Sequence, residues 1–280
     1  MKKYIDCLGR INGMGFMCRM LVFVALGVST ASAAYQAGQQ LIDVSLEGTS
    51  TIDKWTNLSS VALSGTGGFP GTTMWGPQNS QPGSTEQGGA KLMKISNGTN
   101  NAGGPYAASA SIYFGGLSPN INENGGTLGI VDDTPVDNLA TVVFQIEIGE
   151  AWTYDFFDHV LPELTYTIEG DDSVYHLEAT YASVISKVDN GTVTMPSGEE
   201  QVYINNYLLQ WDFGAVTGVV ASFSINFTGV QHAQLYAMQL DQSDIYASVA
   251  AVPEPATFSY VAGCLVLLGG MWRYRRLSYS

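Results

Sequence analysis

Carboxylates and aromatic side chains alternate near the middle of the chain. The residues concerned are Glu147, Glu150, Trp152, Tyr154, Asp155, Phe156, Phe157, Asp158 and Glu163. Glycoside hydrolysis needs two carboxylates about 5–10 Å apart, and aromatic rings provide surfaces on which sugars stack. Glu147, however, falls on the polar side of a strand pattern, where an acid is simply solvated, and the rings can equally pack the end of a sandwich. We therefore predict no catalytic residue here and expect that the protein is not an enzyme.

Three aspartate pairs are the candidate metal ligands. They are Asp132 and Asp133, Asp171 and Asp172, and Asp241 and Asp244. Calcium takes six to eight oxygen ligands, mostly carboxylates and loop carbonyls. No pair has the spacing of a calcium-binding loop such as an EF-hand, and such pairs also occur as plain turns. One structural calcium ion is therefore a hypothesis, and the sequence predicts no other cofactor.

Two tryptophans are the candidate carbohydrate-binding residues. Trp75 lies in a stretch rich in Gly and Pro and is expected to be exposed, and Trp152 lies among the acids described above. The Gly-rich region 65–126 also contains Phe69 and Tyr106. Long loops with embedded aromatics are uncommon in compact domains and are often functional.

Alternating apolar and polar residues predict that short β-strands position these side chains. In residues 139–148 the apolar Val142 and Phe144 fall on one face, and the polar Gln145 and Glu147 fall on the other. Similar patterns cover 107–114, 164–169, 174–184, 202–211, 216–227, 234–240 and 245–249. Turn signals stand at Gly170–Ser173 and Asn190–Gly191, one helical turn is expected within 155–161, and Trp211 is expected in the core. The body is predicted to be an all-β, antiparallel β-sandwich of jelly-roll type.

The N-terminus carries an export pattern. Basic residues precede an apolar run, Met20–Val28, and small residues follow at Ala31 and Ala33. This order predicts a helical signal peptide, residues 1–33, which signal peptidase removes after Ala33. The apolar run is too short for a permanent N-terminal membrane anchor.

The C-terminal part has three consecutive features. Pro253, Glu254 and Pro255 precede an uncharged apolar run, residues 256–272, and then come Arg273, Arg275 and Arg276. The run is at the short end of what spans a bilayer as a transmembrane helix. The arginines form a membrane stop on the cytoplasmic side.

This order resembles the PEP-CTERM sorting signal of Gram-negative bacteria. The resemblance covers residues 252–280 only. It implies that an exosortase-type membrane enzyme recognises the tripeptide and processes the protein. It also implies transient anchoring in the inner membrane and delivery to the cell surface or an extracellular polysaccharide matrix.

The body between these ends, residues 34–251, is strongly acidic. It contains 23 carboxylates, four lysines and no arginine, a net charge of −19, and all three cysteines lie outside it. Such a surface repels nucleic acid and anionic lipid. It is compatible with neutral glycans, divalent cations or simple solvation, and the fold cannot depend on a disulfide.

These features predict an exported protein of the Gram-negative envelope, with a non-catalytic structural or adhesive sandwich. A carbohydrate-binding module of lectin type is the first alternative, with an extracellular polysaccharide as partner. A polysaccharide-active enzyme is the second. The expected organisation is a signal peptide (1–33), the sandwich (34–251) and the sorting signal (252–280).

Overall fold

Antiparallel strands dominate the computed structural model, which describes residues 35–81, 87–195 and 198–249. The strands are β1 (Ser50–Trp55), β2 (Gln78–Asn79), β3 (Lys91–Asn97), β4 (Pro105–Ala107), β5 (Ile112–Phe114), β6 (Asn124–Asp132), β7 (Thr141–Gly149), β8 (Glu163–Ile168), β9 (Asp171–Leu177), β10 (Tyr181–Met195), β11 (Gly198–Asp212), β12 (Val220–Val230) and β13 (Gln234–Ser243). One 3-10 turn, Phe157–His159, lies where a single helical turn was predicted. Within these three ranges, no helix has the length and apolar character needed to cross a membrane.

The strands form two sheets. Sheet A has the order β10-β11-β7-β13-β5-β4, with β1 also paired to β13, and sheet B has the order β2-β3-β6-β12-β8-β9. Every pairing between these strands is antiparallel. The all-β antiparallel sandwich predicted from the sequence is confirmed.

The core lies between the two sheets. In β7, the alternation of apolar and polar residues correctly predicted which side chains face the core. The apolar side of β7 points inward, and its members are Val142, Phe144, Ile146 and Ile148. They belong to one buried cluster with side chains of sheet B, including Leu128, Ile130, Phe223 and Ile225. Trp211 is 1% exposed in the same cluster, as predicted. Each fully buried side chain of this kind stabilises the fold by about 1.5–3 kcal/mol.

Two predicted strands turn out to be pairs of strands. Residues 107–114 belong to a tight hairpin of β4 and β5, in which Tyr106 pairs with Tyr113. Residues 174–184 belong to β9 in sheet B and β10 in sheet A. Alternation continues through both regions, so the pattern shows neither the hairpin nor the change of sheet.

Two further local predictions are wrong. Asn190 and Gly191 lie inside β10, where the register shifts between Asp189 and Thr192, so they form a bulge rather than the hairpin turn. Gly191 has φ +91°, a value that favours glycine. Residues 245–249 are not a strand, because their backbone is hydrogen-bonded to the Gln210 side chain of β11 instead of to a sheet edge.

The outer face of sheet A, which points away from sheet B, is covered by residues 35–47, here named the N-terminal strap. Gln145 accepts the N–H of Ile42 at 2.9 Å and donates to its carbonyl at 2.8 Å. Gln145 and Glu147 are both 0% exposed. The prediction of a solvated polar face is therefore wrong, because periodicity does not show what covers a strand.

Both predicted terminal segments lie outside the described residues. This applies to the signal peptide (1–33) with Ala31 and Ala33, and to the helix 256–272. It also applies to the sorting and stop residues, which are Pro253, Glu254, Pro255, Arg273, Arg275 and Arg276.

Candidate functional site

Five ring side chains form a continuous series across one end of sheet A, here named the aromatic row. Its members are Phe69, Tyr106, Tyr113, His232 and Trp152. Each ring contacts the next one in this order. The row brings together three loops and two strands that are far apart in the chain.

The hairpin of β4 and β5 supplies the two central rings. Ile112 and Phe114 point into the core, so Tyr113 between them points to the opposite, outer face of sheet A. Tyr106 is its direct cross-strand partner, with ring centroids 5.8 Å apart. The short alternating pattern of β5 therefore places a tyrosine pair beside the strap-covered part of the sheet.

Two turns supply the rings at one end of the row. His232 lies between β12 and β13, and the Tyr113 hydroxyl is hydrogen-bonded to its Nδ1. Trp152 follows β7 and meets the His232 ring edge-to-face at 4.7 Å. Trp152, Thr153 and His232 have φ values of +50°, +73° and +69°. Positive φ is unfavourable for such residues, above all for β-branched Thr153, and strain of this kind concentrates at functional sites.

The loop before β2 supplies Phe69, which is 62% exposed and meets Tyr106 at 6.3 Å. Lys94 of β3 holds this loop from below, because its ammonium donates to the carbonyls of Gly71 and Thr73. A methyl group at Gly71, whose φ is +80°, would collide with the carbonyl of Gly104. The loop is thus packed closely enough to fix the position of Phe69.

The row carries no net charge at neutral pH. Burial lowers the pKa of His232 below its ordinary value, so the imidazole is neutral. Burial raises the pKa of Tyr106 and Tyr113, so both hydroxyls stay protonated. Such a surface offers ring faces, hydroxyl groups and one imidazole, which suits a ligand without charge.

Of the two tryptophans predicted to bind carbohydrate, the structure leaves only Trp152 at this surface. Trp75 is 5% exposed within the main core, and its indole Nε1 donates to the carbonyl of Pro105 at 3.1 Å. The prediction that Trp75 is exposed is wrong, because the Gly-rich region folds back over the hairpin and buries it. Trp152 is half-buried and packs against the edge of the core.

Sequence reasoning missed part of the row. Phe69 and Tyr106 were noted as aromatic residues in a long Gly-rich region. Tyr113 falls within an ordinary alternating strand pattern, and His232 has no other histidine near it in the sequence. Only the β13–β5 pairing, which joins distant segments, brings these two side chains together.

The acidic segment around Trp152 divides into separate environments. Asn205 Nδ2 donates to Glu150 Oε1 and to Asp155 Oδ2, each at 2.8 Å, so the two carboxylates share one amide. The Tyr207 hydroxyl donates to Asp155 at 2.6 Å, and burial followed by the Asp155 charge raises the pKa of Tyr207. The remaining oxygens of both acids accept backbone N–H groups. This arrangement braces the end of the sandwich.

The other acids of this segment lie elsewhere. Glu147 is buried under the strap, as described above. Asp158 and Glu163 line a cleft of about 310 Å³ together with Phe157. Asp158 Oδ1 accepts the side-chain amide of Asn122 at 3.0 Å. The structure thus divides the five acids among three places: Glu147 lies under the strap, Glu150 and Asp155 share Asn205, and Asp158 and Glu163 line the cleft.

The three aspartate pairs proposed for calcium are also far from uniform. Asp132 is buried and accepts Gln242 Nε2 at 2.6 Å, whereas Asp133 is exposed. Asp171 lies at the exposed start of β9 and accepts the Ser173 N–H at 2.9 Å.

The last pair, Asp241 and Asp244, is split between a buried and a half-buried position. Asp241 accepts Gln239 Nε2 at 2.8 Å, and Asp244 accepts Thr49 N–H at 2.7 Å. Among the residues that the structure describes, no group of three or more His, Cys, Asp or Glu side chains is placed to hold a metal ion. The calcium hypothesis stays a prediction.

No family model, no curated protein and no solved structure matches the chain.

Proposed function

We propose that this protein is an exported, non-catalytic adhesive module that binds a neutral polysaccharide at the cell surface or in the extracellular matrix. The aromatic row is the observation that carries this proposal. It is a run of touching rings with one strongly exposed end, Phe69. The row lies on strands and on closely packed loops, and a binding site on such supports is held in shape before the ligand arrives.

The charge of the body favours a neutral ligand. Residues 34–251 carry a net charge of −19, so an anionic polysaccharide would be repelled at long range. The row itself is uncharged, because burial keeps His232 neutral. Stacking on rings and hydrogen bonds to hydroxyl groups do not require charge on the ligand.

The hydrogen bonds of Glu147, Glu150 and Asp155 support a non-catalytic role for these three acids. Glu150 and Asp155 are bound by Asn205, and Glu147 is bound by backbone N–H groups of the strap. A catalytic acid and its partner need free oxygens that face a substrate. We therefore rank binding above hydrolysis.

We further propose that the sandwich is a jelly roll. Four neighbouring strands of sheet A, in the order β1-β13-β7-β11, face four of sheet B, in the order β6-β12-β8-β9. Along the chain these eight strands alternate between the sheets, except at the β8–β9 hairpin. This alternation supports a double Greek key, to which β3 and β10 add outer strands.

The proposed localisation of the protein rests on its sequence. The signal peptide, the tripeptide Pro253–Pro255 and the arginine stop are the features that imply export and exosortase-type processing at the inner membrane. A structural calcium ion remains part of the proposal. Nucleic acid is not a proposed partner.

Binding to polysaccharides tests the adhesive proposal. The purified protein is incubated with starch, cellulose and a mannan, with alginate as the anionic comparison. We expect retention on at least one neutral polymer, and a loss of affinity of about tenfold or more in Phe69→Ala and in Trp152→Ala. Phe69 is largely exposed, so its removal leaves stability nearly unchanged.

The stacked pair Tyr166 and Tyr175 provides the control. These rings lie 5.4 Å apart on sheet B, away from the row. Tyr175→Ala should bind as tightly as the unchanged protein. Loss of binding in Tyr175→Ala alone would indicate that the binding site lies on sheet B. Equal binding by all variants would contradict the proposal that the aromatic row binds the polysaccharide.

A double substitution tests the proposed sorting role of the tripeptide. The prolines fix an extended backbone that a processing enzyme can read. Replacing Pro253 and Pro255 by Ala should leave a full-length form in the membrane fraction, whereas Pro119→Ala in a body loop should mature normally. Normal maturation of the double variant would show that the tripeptide is not the sorting element.

A further inference from the structure

The loop before β8 leaves a gap beside β12 in sheet B. Phe156 forms an isolated bridge with Gly229. Regular pairing of β8 with β12 begins at Glu163, opposite Asn226. Between these two contacts, six residues of the loop (157–162) stand opposite only two residues of β12. The loop therefore arches away from the sheet, and the space that it leaves is the cleft of about 310 Å³ described above.

Uncharged polar side chains line the floor of this cleft. In β12, Phe227 points into the core, so its neighbours Asn226 and Thr228 point to the outer face of sheet B. Thr127 of β6 lies directly opposite Thr228, and their hydroxyl oxygens are 2.8 Å apart. Hydroxyl and amide groups both donate and accept hydrogen bonds, which is what the ring hydroxyls of a sugar require.

The loop supplies an apolar wall. Phe157 and Leu161 are half-buried and pack against the edge of the core, whereas Val160 beside them is 51% exposed. Pockets that bind small molecules have volumes of about 300–1,000 Å³ and combine apolar walls with a few polar groups. The cleft has this composition and lies at the lower end of the size range, which suits about one or two sugar units.

The backbone of the loop is held in an unusual conformation at the cleft. Asp158 and His159 have φ values of +52° and +58°. The Asn122 side chain fixes Asp158, because it donates to Asp158 Oδ1 at 3.0 Å and accepts the Asp158 N–H at 3.1 Å. Positive φ is unfavourable for most residues other than Gly, and strain of this kind concentrates at functional sites. The two hydrogen bonds hold the Asp158 carboxylate beside the cleft.

Both charged side chains that line the cleft are carboxylates, Asp158 and Glu163. Glu163 is exposed, and its side chain has no hydrogen-bond partner among the residues that the structure describes. No basic side chain is among the described residues that line the cleft. The two negative charges therefore have no compensating positive charge from the protein. An ammonium group on the ligand would supply it, and the ring face of Phe157 also attracts a cation.

We propose that this cleft binds an amino sugar, a pyranose ring with a free ammonium group, as found in a deacetylated polysaccharide. The two carboxylates bind the ammonium group, and the hydroxyl and amide groups of the floor bind the ring hydroxyls. This site is separate from the aromatic row and does not depend on the function proposed for it. The row lies on sheet A, whereas the cleft lies on the outer face of sheet B, so one molecule can hold two different polymers.

Binding of a short ligand to the purified full chain tests the proposal. The probes are a glucosamine disaccharide and its N-acetylated form, compared by calorimetry at about pH 6 and physiological ionic strength. Acetylation removes the charge of the amine and leaves the ring hydroxyls. The amine form should bind about tenfold more tightly or better, because a charge-assisted hydrogen bond is about twice as strong as a neutral one. Equal affinity for the two forms overturns the proposal.

Two variants each remove one charge and keep the shape of the cleft. Glu163→Gln should lower the affinity for the amine form about tenfold. Asp158→Asn should do the same, since Asn tolerates positive φ and still accepts the Asn122 amide. The matched control is Glu169→Gln, which neutralises an exposed acid directly after β8. An equal loss in Glu169→Gln would show general attraction to an acidic surface and would overturn the site.

Two further comparisons test the location and the need for a sugar ring. Phe69→Ala, which alters the aromatic row, should bind the glucosamine disaccharide as tightly as the unchanged protein. Loss of binding in Phe69→Ala with normal binding in Glu163→Gln would locate the ligand at the row and overturn the inference. Free lysine offers an ammonium group without a ring and should not compete. Competition by lysine at equal concentration would show that the cleft does not recognise the sugar.

Discussion

Glu147 accepts the backbone N–H of Gln40 at 2.7 Å, although the two residues lie 107 positions apart in the chain. The second oxygen of the same carboxylate accepts the N–H of Gly38, also at 2.7 Å. One buried acid thus satisfies two donors of a turn that is not part of a sheet. Hydrogen bonds from side chains hold the strap, whereas hydrogen bonds between backbone groups would hold a strand.

Glu147→Ala should therefore destabilise the protein strongly. It leaves two buried N–H groups without their partner, and such a loss costs about 2–4 kcal/mol in the free energy of unfolding. Glu147→Gln keeps one acceptor and should cost less. Urea unfolding measures both, with the exposed Glu163→Ala as control. If Glu147→Ala matched Glu163→Ala, the strap would not depend on this carboxylate.

Asp241 should make the protein less stable as the pH rises from about 4 to about 7. Burial under the strap raises the pKa of Asp241 to about 7, so the folded state binds a proton that the unfolded state has already released. Asp241→Asn removes this dependence. The stability difference between Asn variant and unchanged protein should grow across that range, by an amount on the order of a few kcal/mol.

Unfolding curves at matched ionic strength between pH 4 and pH 8 measure this difference. Gln239 Nε2 can still donate to the Asn oxygen, so the local hydrogen bond survives the substitution. A difference that stays constant with pH would contradict the prediction.

Lys94 should have the reverse effect of Asp241, because it should make the protein more stable as the pH rises in the alkaline range. Its side chain is 3% exposed, and burial lowers the pKa of Lys94 to about 8. Between about pH 8 and about 10.5 the unfolded state binds more protons, so stability should rise with pH in this window. Lys94→Met should lose that rise when compared with the unchanged protein.

The same variant should weaken polysaccharide binding at pH 7. Lys94 holds the loop that carries Phe69, and Met cannot donate to the carbonyls of Gly71 and Thr73. Lys187→Met, which removes an exposed lysine, is the control for loss of one positive charge. Equal binding by both variants would mean that the loop keeps its shape without Lys94.

Calcium should raise the melting temperature relative to EDTA at matched ionic strength. A ligand that binds only the native state stabilises it by mass action, and a divalent cation relieves the repulsion of an acidic surface. Asn substitution of each aspartate pair, 132–133, 171–172 and 241–244, should identify the site through loss of the shift. Identical melting curves in calcium and EDTA would exclude a structural ion.

The sequence predicted those parts of the fold that depend on local periodicity. In β7, inward Val142 and Phe144 alternate with outward positions, and Trp211 ends an apolar strand, so burial follows directly from a period of two. Strands β3 and β6 were not recognised. Glycines and polar residues dominate their surroundings, and their strand conformation depends on pairing with each other.

The candidate site was predicted only in part, because it depends on contacts between distant segments. Trp152 was a candidate carbohydrate-binding residue, which stays a prediction, but its neighbour His232 comes from a turn far along the chain. Trp75 shows the opposite failure, since its Gly-rich context favours exposure while the folded loop buries it. Composition describes a segment and not what folds over it.

The chain enters and leaves the sandwich on one face, since Val44 of the strap and Val249 share a cluster. The protein is therefore suited to circular permutation. A linker could join the strap to residue 249, and new ends could open in the β10–β11 connection, next to the exposed Gly198. Every strand pairing would survive, whereas cargo fused to residue 35 or to residue 249 would be displayed beside the same covered face.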